Sequence, residues 1–315
     1  MKTDNSGLTE RAFVLVTGAH GFLGRHVARL LSRQGETVLG LGHGDWSREE
    51  WESWGLSGWR RADVTRQTLE EYQETPSTII HCAGGGSVSF SIEQPLADFE
   101  RTVETTAHVL EYVRTAAPSC RVVYVSSASV YGNVDQFPIR EDCHAAPISQ
   151  YGVHKLMAEQ LVASYARQFG TFAAVVRLFS VYGCGLRKQL LWDACRKFAA
   201  NDTTFMGTGA EVRDWLHVED AAELLLLAAQ YASQDCPIVN GGSGEGVAVR
   251  EILNHLGSKL NSSNPTPTFT GQWRQGDPSR YIAHIERAKS WGWSPKRHWE
   301  EGVDEYAAWW TKNSQ

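Results

Sequence analysis

Residues 13–24 read Phe13-Val14-Leu15-Val16-Thr17-Gly18-Ala19-His20-Gly21-Phe22-Leu23-Gly24. The first four residues are apolar and have good strand propensity, which predicts a buried parallel strand. Glycines at spacing three follow, and the next residues continue with helical periodicity. A strand, a tight glycine turn and a helix in this order are typical of a dinucleotide-binding turn, where the helix N-terminus faces a pyrophosphate. An ordinary strand–turn–helix is the alternative.

Composition narrows the class of protein. The chain has 315 residues and a formal net charge of −6, with no long basic run, so we expect no nucleic-acid partner. The longest apolar run, near residues 224–229, is too short to span a bilayer, and the polar start is unlike a secretory signal. The six scattered cysteines lack a Cys-x-x-Cys pair, which predicts reduced thiols in a cytoplasmic protein and no metal site.

Strand and helix patterns alternate along the first half of the chain. Apolar runs predict strands near residues 36–42, 61–65, 77–83, 121–126 and 172–178, and long helices over residues 95–117 and 149–169. This alternation predicts an α/β fold with a Rossmann doubly wound parallel sheet. We expect an NAD(P)-binding domain over residues 11–180 and a smaller, mainly substrate-binding lobe over residues 181–315, with the chain crossing back to the sheet near 237–240.

A tryptophan-rich segment follows the second predicted strand. Trp46, Trp51, Trp54 and Trp59 are spaced by five, three and five residues, which resembles one helical face. We interpret this face as packing rather than as an aromatic binding site.

Three further residues have types suited to proton transfer. Ser127 ends the predicted fifth strand, whose carboxyl end should face the ligand crevice. Tyr151 and Lys155 are four residues apart, so they share one helix face. A neighbouring ammonium is expected to lower the pKa of the tyrosine towards neutrality, where it could act as general acid or base.

These motifs resemble the extended short-chain dehydrogenases/reductases of the nucleotide-sugar epimerase/dehydratase family over nearly the whole chain. The resemblance implies that Ser127, Tyr151 and Lys155 form a catalytic triad. It also implies a set of cofactor-binding residues, with Asp63 and Val64 near the adenine: Gly18, His20, Gly21, Phe22, Leu23, Gly24, His43, Asp63, Val64, Cys82, Ala83, Gly84, Tyr151 and Lys155.

The resemblance likewise implies a nucleotide-diphosphate sugar as substrate. Arg213 and Arg274 lie in segments similar to the family's diphosphate clamp, and the substrate-binding residues are expected to be Ser87, Ser127, Ser180, Arg213 and Arg274. Ala128 and Ser129 stand where the family's dehydratases carry an acidic residue, which argues against dehydration. Ser180 and Thr102 replace asparagines of the family pattern. What remains is hydride transfer at one sugar carbon, taken to be carbon 4, by a 4-epimerase or a 4-keto-sugar reductase.

Three questions stay open at this level. A cofactor-binding sensor without turnover is an alternative from another class, although such proteins lose the tyrosine or the lysine. The cofactor is NAD or NADP, with NADP slightly favoured because Gly42, not a carboxylate, ends the second strand and His43 follows. Asp45 could instead swing back to bind the ribose and restore a preference for NAD. The two long helices resemble the family's dimer interface, so we expect a homodimer.

Overall fold

The structure is a computed structural model that describes residues 13–260, 265–272 and 279–313. The strands of the large sheet are β1 (Val14–Thr17), β2 (Val38–Gly42), β3 (Gly58–Arg61), β4 (Thr78–His81), β5 (Arg121–Ser127), β6 (Phe172–Leu178) and β11 (Ile238–Gly241), and the short strands are β7 (Ser180–Tyr182), β8 (Thr204–Phe205), β9 (Val212–Arg213), β10 (Trp215–His217), β12 (Val247–Ala248) and β13 (Thr268–Phe269). The helices are α1 (Phe22–Arg33), α2 (Arg48–Ser53), α3 (Arg66–Glu70), α4 (Val88–Glu93), α5 (Pro95–Phe99), α6 (Thr105–Ala116), α7 (Gln150–Phe169), α8 (Gln189–Ala199), α9 (Val218–Tyr231), α10 (Val249–Lys259), α11 (Glu286–Ser290) and α12 (Trp299–Asn313).

The seven long strands form one sheet in the order β11-β6-β5-β4-β1-β2-β3. Every neighbouring pair in it is parallel, which confirms the predicted doubly wound sheet. The strand order reverses between β1 and β4. Because ligands of such sheets bind beyond the carboxyl ends of the strands at this reversal, the turns after β1 and β4 form the expected crevice.

Each face of the sheet is covered by a layer of helices. On one face, Val16, Val123 and Val176 pack under α1 and α9. On the other, Leu15 and Val122 pack under α6 and α7. Both faces are apolar, as a sheet covered on both sides requires.

The second half of the chain contributes to both parts of the molecule. A separate core lies among α8, α10 and α12 and includes Leu191, Leu253 and Val303. However, β11 pairs with β6, and α9 packs on α1, so both belong to the large sheet and its helical layer. The boundary near residue 180 remains a prediction about which part binds which ligand. Among the described helices, none is both long and apolar enough to cross a membrane.

Two segments differ in detail from the expectation. The first long helix contains a π-helical turn at Glu100–Glu104, between α5 and α6. The tryptophans do not lie on one helical face, which makes that expectation wrong: only Trp51 is inside α2, while Trp54 ends it and Trp59 belongs to β3. The four residues 54–57 turn the chain between α2 and β3, and the tryptophans pack from several elements. Trp46, Trp51 and Trp59 contact the sheet core, which confirms their role in packing.

A buried ion pair connects α7 to β6. The Arg177 guanidinium donates to both carboxylate oxygens of Glu159, with Nη2–Oε2 at 2.7 Å, and both side chains are about 5% exposed or less. The Ser126 hydroxyl also donates to Glu159. Because an uncompensated buried charge is costly, this pair holds α7 against the sheet only while both partners are present.

We therefore expect Glu159→Gln to lower the free energy of unfolding by about 3–5 kcal/mol, since it leaves the Arg177 cation buried without its carboxylate. Urea denaturation monitored by circular dichroism measures the change. Glu52→Gln is the matched control, because it removes the exposed Arg48–Glu52 pair on α2 and should leave the midpoint unchanged. Equal midpoints for the two variants would contradict this account.

Candidate active site

The glycine turn leaves no room for side chains at two of its positions. Gly18 has a φ of +68°, and a Cβ there would lie 2.8 Å from the Ala83 amide nitrogen. A Cβ on Gly24 would lie 2.3 Å from the Gly18 carbonyl oxygen. The backbone can therefore close tightly at the N-terminus of α1, where the first N–H groups have no helical acceptor. This cradle fits a dinucleotide pyrophosphate.

The turn after β4 lies directly against the glycine turn. Ala83 donates its N–H to the Thr17 hydroxyl at 3.3 Å, and that hydroxyl is 2.7 Å from His81 Nδ1. Burial lowers the pKa of His81 to about 3, so its imidazole is neutral. Burial raises the pKa of the neighbouring Cys82 thiol to about 12, which keeps it neutral as well. The two titratable groups at the end of β4, His81 and Cys82, are thus uncharged.

Charged side chains gather at the end of β2, where the adenosine part of a dinucleotide would lie. His43 Nε2 is 2.8 Å from Asp63 Oδ1, and Arg61 donates to Asp45. All four of these residues are exposed. Val64, also predicted to lie near the adenine, is buried. The strand does end at Gly42, as the sequence suggested.

His20 closes this end of the site from the glycine turn. Its ring makes an edge contact with Trp46 at 5.1 Å between centroids. A Cβ on Gly44 would be 2.4 Å from His20 Nδ1, so the ring packs directly against the Gly44 backbone. His20 therefore connects the glycine turn to the loop after β2.

The three predicted catalytic residues come together at the carboxyl edge of β5. The Ser127 hydroxyl lies close enough to the Tyr151 phenol to lower its pKa by hydrogen bonding. Lys155 is 4% exposed, and its Nζ donates to the Val125 carbonyl oxygen at 3.0 Å. The Ser149 hydroxyl accepts from Gly152 N–H and caps α7, which starts the helix so that Tyr151 stands in its first turn.

The expected lowering of the Tyr151 pKa is wrong for the groups of the chain itself. Burial raises that pKa to about 12, and the hydrogen bond from Ser127 only partly offsets the effect. Lys155 Nζ lies 5.8 Å from the centroid of the Tyr151 ring and bonds to a carbonyl instead. Burial also lowers the pKa of Lys155, to about 8. Desolvation dominates because both groups are enclosed by α7, β5 and the turn after β4.

The predicted substrate residues lie on separate elements of the site. Ser87 caps α4, and Ser180 starts β7, which pairs with β10 two residues beyond Arg213. Arg213 is half-buried, and its Nη1 donates to the Val212 carbonyl oxygen at 3.0 Å. Arg274 lies outside the described residues. Thr102, which replaces a family asparagine, is buried and accepts the Gly85 N–H at 2.8 Å.

Metal binding finds no support in the described ranges. Within residues 13–260, 265–272 and 279–313, no three His, Cys, Asp or Glu side chains are grouped so that they could hold a metal ion.

Comparison with known proteins identifies the family. The model of the NAD dependent epimerase/dehydratase family matches residues 14–241. The chain belongs to this family. A UDP-glucose 4-epimerase of Azospirillum brasilense is 27% identical, with 99% of this chain and 94% of that protein covered. The members with solved structures include the UDP-glucose 4-epimerase of Thermotoga maritima with UDP-glucose, at 25% identity, a TM-score of 0.86, and 96% and 99% coverage. MoeE5 in complex with UDP-glucuronic acid and NAD is 28% identical, with a TM-score of 0.85 and 96% and 100% coverage.

Like its relatives, this epimerase/dehydratase chain is an enzyme of the short-chain dehydrogenase/reductase type. Sequence reasoning missed two residues beside its site, Asp98 and His154. His154 directly precedes Lys155, so its position in the Tyr-x-x-His-Lys stretch was a usable signal. Asp98 lies 56 residues earlier in the chain, and no local pattern connects it to His154.

Proposed function

We propose that the protein is an NAD(P)-dependent nucleotide-sugar 4-epimerase acting on a UDP-hexose. The observation that carries this proposal is the meeting of Ser127, Tyr151 and Lys155 at the carboxyl end of β5, with Lys155 buried against the turn after β4. The relatives described above support the substrate class, since two of them are UDP-glucose 4-epimerases.

Tyr151, Ser127 and Lys155 each have a separate role in the proposed reaction. A bound nicotinamide would supply the acceptor and donor of hydride at sugar carbon 4. Tyr151 takes the proton of the 4-hydroxyl and later returns it, because its phenol is the titratable group at the carboxyl end of β5. Ser127 donates a hydrogen bond to the oxygen that gains or loses this proton. Lys155 would hold the nicotinamide ribose, and its ammonium would oppose the burial that raises the Tyr151 pKa.

The substrate's diphosphate is held by arginine in this proposal. Arg213 extends from β9 beside Ser180, and a guanidinium offers a planar fork of donors to phosphate oxygens. Arg274 would complete the clamp, and Ser87 would contact the sugar. Ala128 follows Ser127 directly, so an acidic group for elimination is missing at that position and a dehydratase is not favoured.

The second candidate function is a one-way 4-keto-sugar reductase that uses NADPH. The end of β2 favours it, because Gly42 offers no carboxylate to repel a 2′-phosphate. The nearby carboxylates of Asp45 and Asp63 each have a partner of their own: Arg61 donates to Asp45, and His43 contacts Asp63. We therefore infer that NADP binds at least as well as NAD. Cofactor that copurifies as NAD, with exchange of the 4-hydroxyl configuration of UDP-glucose, would support the epimerase over the reductase.

A second copy of the chain is the proposed partner. Ile92, Leu96 and Met157 on α4, α5 and α7 are apolar and 62%, 68% and 39% exposed. These helices contact one another, and we assign the three side chains to one apolar face of the proposed dimer interface. A symmetric dimer would bury this face.

Tyr151→Phe should reduce turnover of UDP-glucose by about a hundredfold or more and leave the fold intact, because it removes only the hydroxyl. Steady-state kinetics, with circular dichroism as the check on folding, measures this. Tyr165→Phe is the matched control: the same atom is lost on the same helix, where Tyr165 bonds to Glu111. Near-full turnover by Tyr151→Phe would exclude Tyr151 as the acid/base.

His43→Asn should weaken NADP binding several-fold and leave NAD binding unchanged, because it removes the imidazole beside the proposed 2′-phosphate site. Calorimetric titration with both cofactors measures this, and His144→Asn, an exposed histidine on another loop, is the control. Asp45→Ala tests which residue binds the ribose more cleanly than Gly42→Asp does, because Gly42 has a φ of +153° that disfavours a side chain. A wild type that prefers NAD and gains NADP affinity in Asp45→Ala would show that Asp45 binds the ribose.

Leu96→Glu should convert the protein to a monomer at micromolar concentration, because it puts a charge into the proposed apolar interface. Light scattering gives the mass, and Met206→Glu, which changes a similarly exposed side chain in the second lobe, should stay dimeric. A monomeric wild type would contradict the proposed dimer.

A further inference from the structure

A buried histidine–aspartate pair lies behind the catalytic face of α7. Asp98 on α5 is 0% exposed, and its Oδ2 is 2.6 Å from Nδ1 of His154, which is itself 3% exposed. His154 directly precedes Lys155 and follows Tyr151 by three residues. The pair therefore joins α7, which carries the catalytic residues, to the C-terminal end of α5, just before the π-helical turn.

The hydrogen bonds of His154 define its protonation. The Gln150 side-chain N–H donates to His154 Nε2 at 3.0 Å, so this ring nitrogen is an acceptor and carries no proton. The proton is then on Nδ1, which donates to Asp98. A neutral imidazole beside a carboxylate gives the pair a net charge of about −1.

The second oxygen of Asp98 is enclosed near the substrate crevice. Oδ1 is buried and has no hydrogen-bond partner among the residues that the structure describes. A Cβ on Gly85 would lie 1.9 Å from it, so Asp98 occupies the space that a side chain at position 85 would fill. Gly85 belongs to the turn after β4, and a Cβ on the adjacent Gly84 would be 3.3 Å from Lys155 Nζ. The same turn thus separates the carboxylate from the ammonium.

Lys155 needs a counter-charge that its other neighbours do not supply. Among the described residues, no carboxylate lies within 4 Å of Lys155 Nζ. Glu159 is already bonded to Arg177, and the raised pKa of Cys82 keeps its thiol neutral. Asp98 is the leading group that opposes the lowering of the Lys155 pKa by burial.

We propose that Asp98, oriented by His154, is the buried counter-charge of Lys155 and a positioning residue for the Tyr151–Lys155 pair. The carboxylate keeps Lys155 cationic in a pocket whose desolvation favours the neutral amine. The inference rests on the proposed function only in assigning Tyr151 and Lys155 to catalysis, because the charge and tautomer of the pair are properties of the chain alone.

Other titratable groups face the same pocket and set its background charge. They are Tyr151, Lys155 and Glu159 on α7, Tyr124 on β5, His81 and Cys82 at the end of β4, and Lys188 before α8. Loss of the negative charge of Asp98 lowers the pKa values of both Tyr151 and Lys155, since Asp98 raises each of them. A merely structural role would change activity at every pH without moving these values.

The experiment compares Asp98→Asn and His154→Gln with the wild type. The pH dependence of NAD affinity is measured by calorimetry, and that of kcat/KM with UDP-glucose. For Asp98→Asn we expect both limbs of the profile, which report Tyr151 and Lys155 as an interacting pair, to move to lower pH by roughly one unit. His154→Gln should leave both limbs in place, because a glutamine amide can still donate to Asp98. Asp304→Asn is the matched control, since His255 Nε2 and Asp304 Oδ1 are also 2.6 Å apart, on α10 and α12.

A third measurement does not depend on activity. Nitrogen-15 NMR of the histidines, with the His154 signals assigned by their loss in His154→Gln, should show a neutral Nδ1–H tautomer at pH 7. An imidazolium at pH 7, a profile of Asp98→Asn that overlays the wild type after scaling, or equal shifts in both variants would each overturn the proposal. If Asp98→Asn does not fold, the NMR result and the His154→Gln profile still decide it. A wild type that binds NAD but does not convert UDP-glucose would count against the proposed function alone.

Discussion

The contact between Gly24 and the Gly18 carbonyl is the constraint on which the rest of the molecule depends. With no Cβ at position 24, the first turn of α1 can rest directly on the end of β1. Gly18 in turn touches the backbone of Ala83, so the turns after two neighbouring strands are in direct contact. The absence of a Cβ at Gly18 and Gly24 lets α1 pack on β1, and it also leaves the crevice lined by backbone at this point. The shape of the predicted cofactor cradle and the packing of α1 on the sheet therefore depend on the same two glycines.

The buried charged side chains on the two sides of α7 are compensated in different ways. On the side facing β6, Glu159 and Arg177 neutralise each other, and three hydrogen bonds from the guanidinium satisfy the carboxylate. On the side facing the crevice, the direct acceptor of Lys155 among the described residues is the Val125 carbonyl, and Asp98 lies across the turn after β4. The first arrangement stabilises the helix position. The second leaves a cation poised for interaction with a ligand, at the cost of desolvation.

The order of strands and helices could be predicted from the sequence because its signals are local. Residues 13–24 combine apolar strand, glycine spacing and helical periodicity within one short segment, and the long helices begin and end within a residue or two of the expected positions. The tryptophan segment was mispredicted because its spacings of five, three and five residues also fit a short helix followed by a strand. The turn between α2 and β3 leaves no periodic signal in the sequence. The raised Tyr151 pKa could not be predicted for a different reason. It depends on burial, which is set by what α7 packs against and not by the spacing of Tyr151 and Lys155. The same holds for Asp98 and His154, which meet only in the folded chain.

The large sheet is completed late in the chain, by β11 and α9. β11 covers the edge of β6, and α9 covers the apolar face of β5 and β6 next to α1. A chain cut after β6 would leave an open strand edge and a bare apolar layer, both of which promote association between chains. The half that contains the large sheet is thus completed by sequence that has already passed through the other half of the molecule. Synthesis from the ribosome must proceed through most of the chain before the sheet can close.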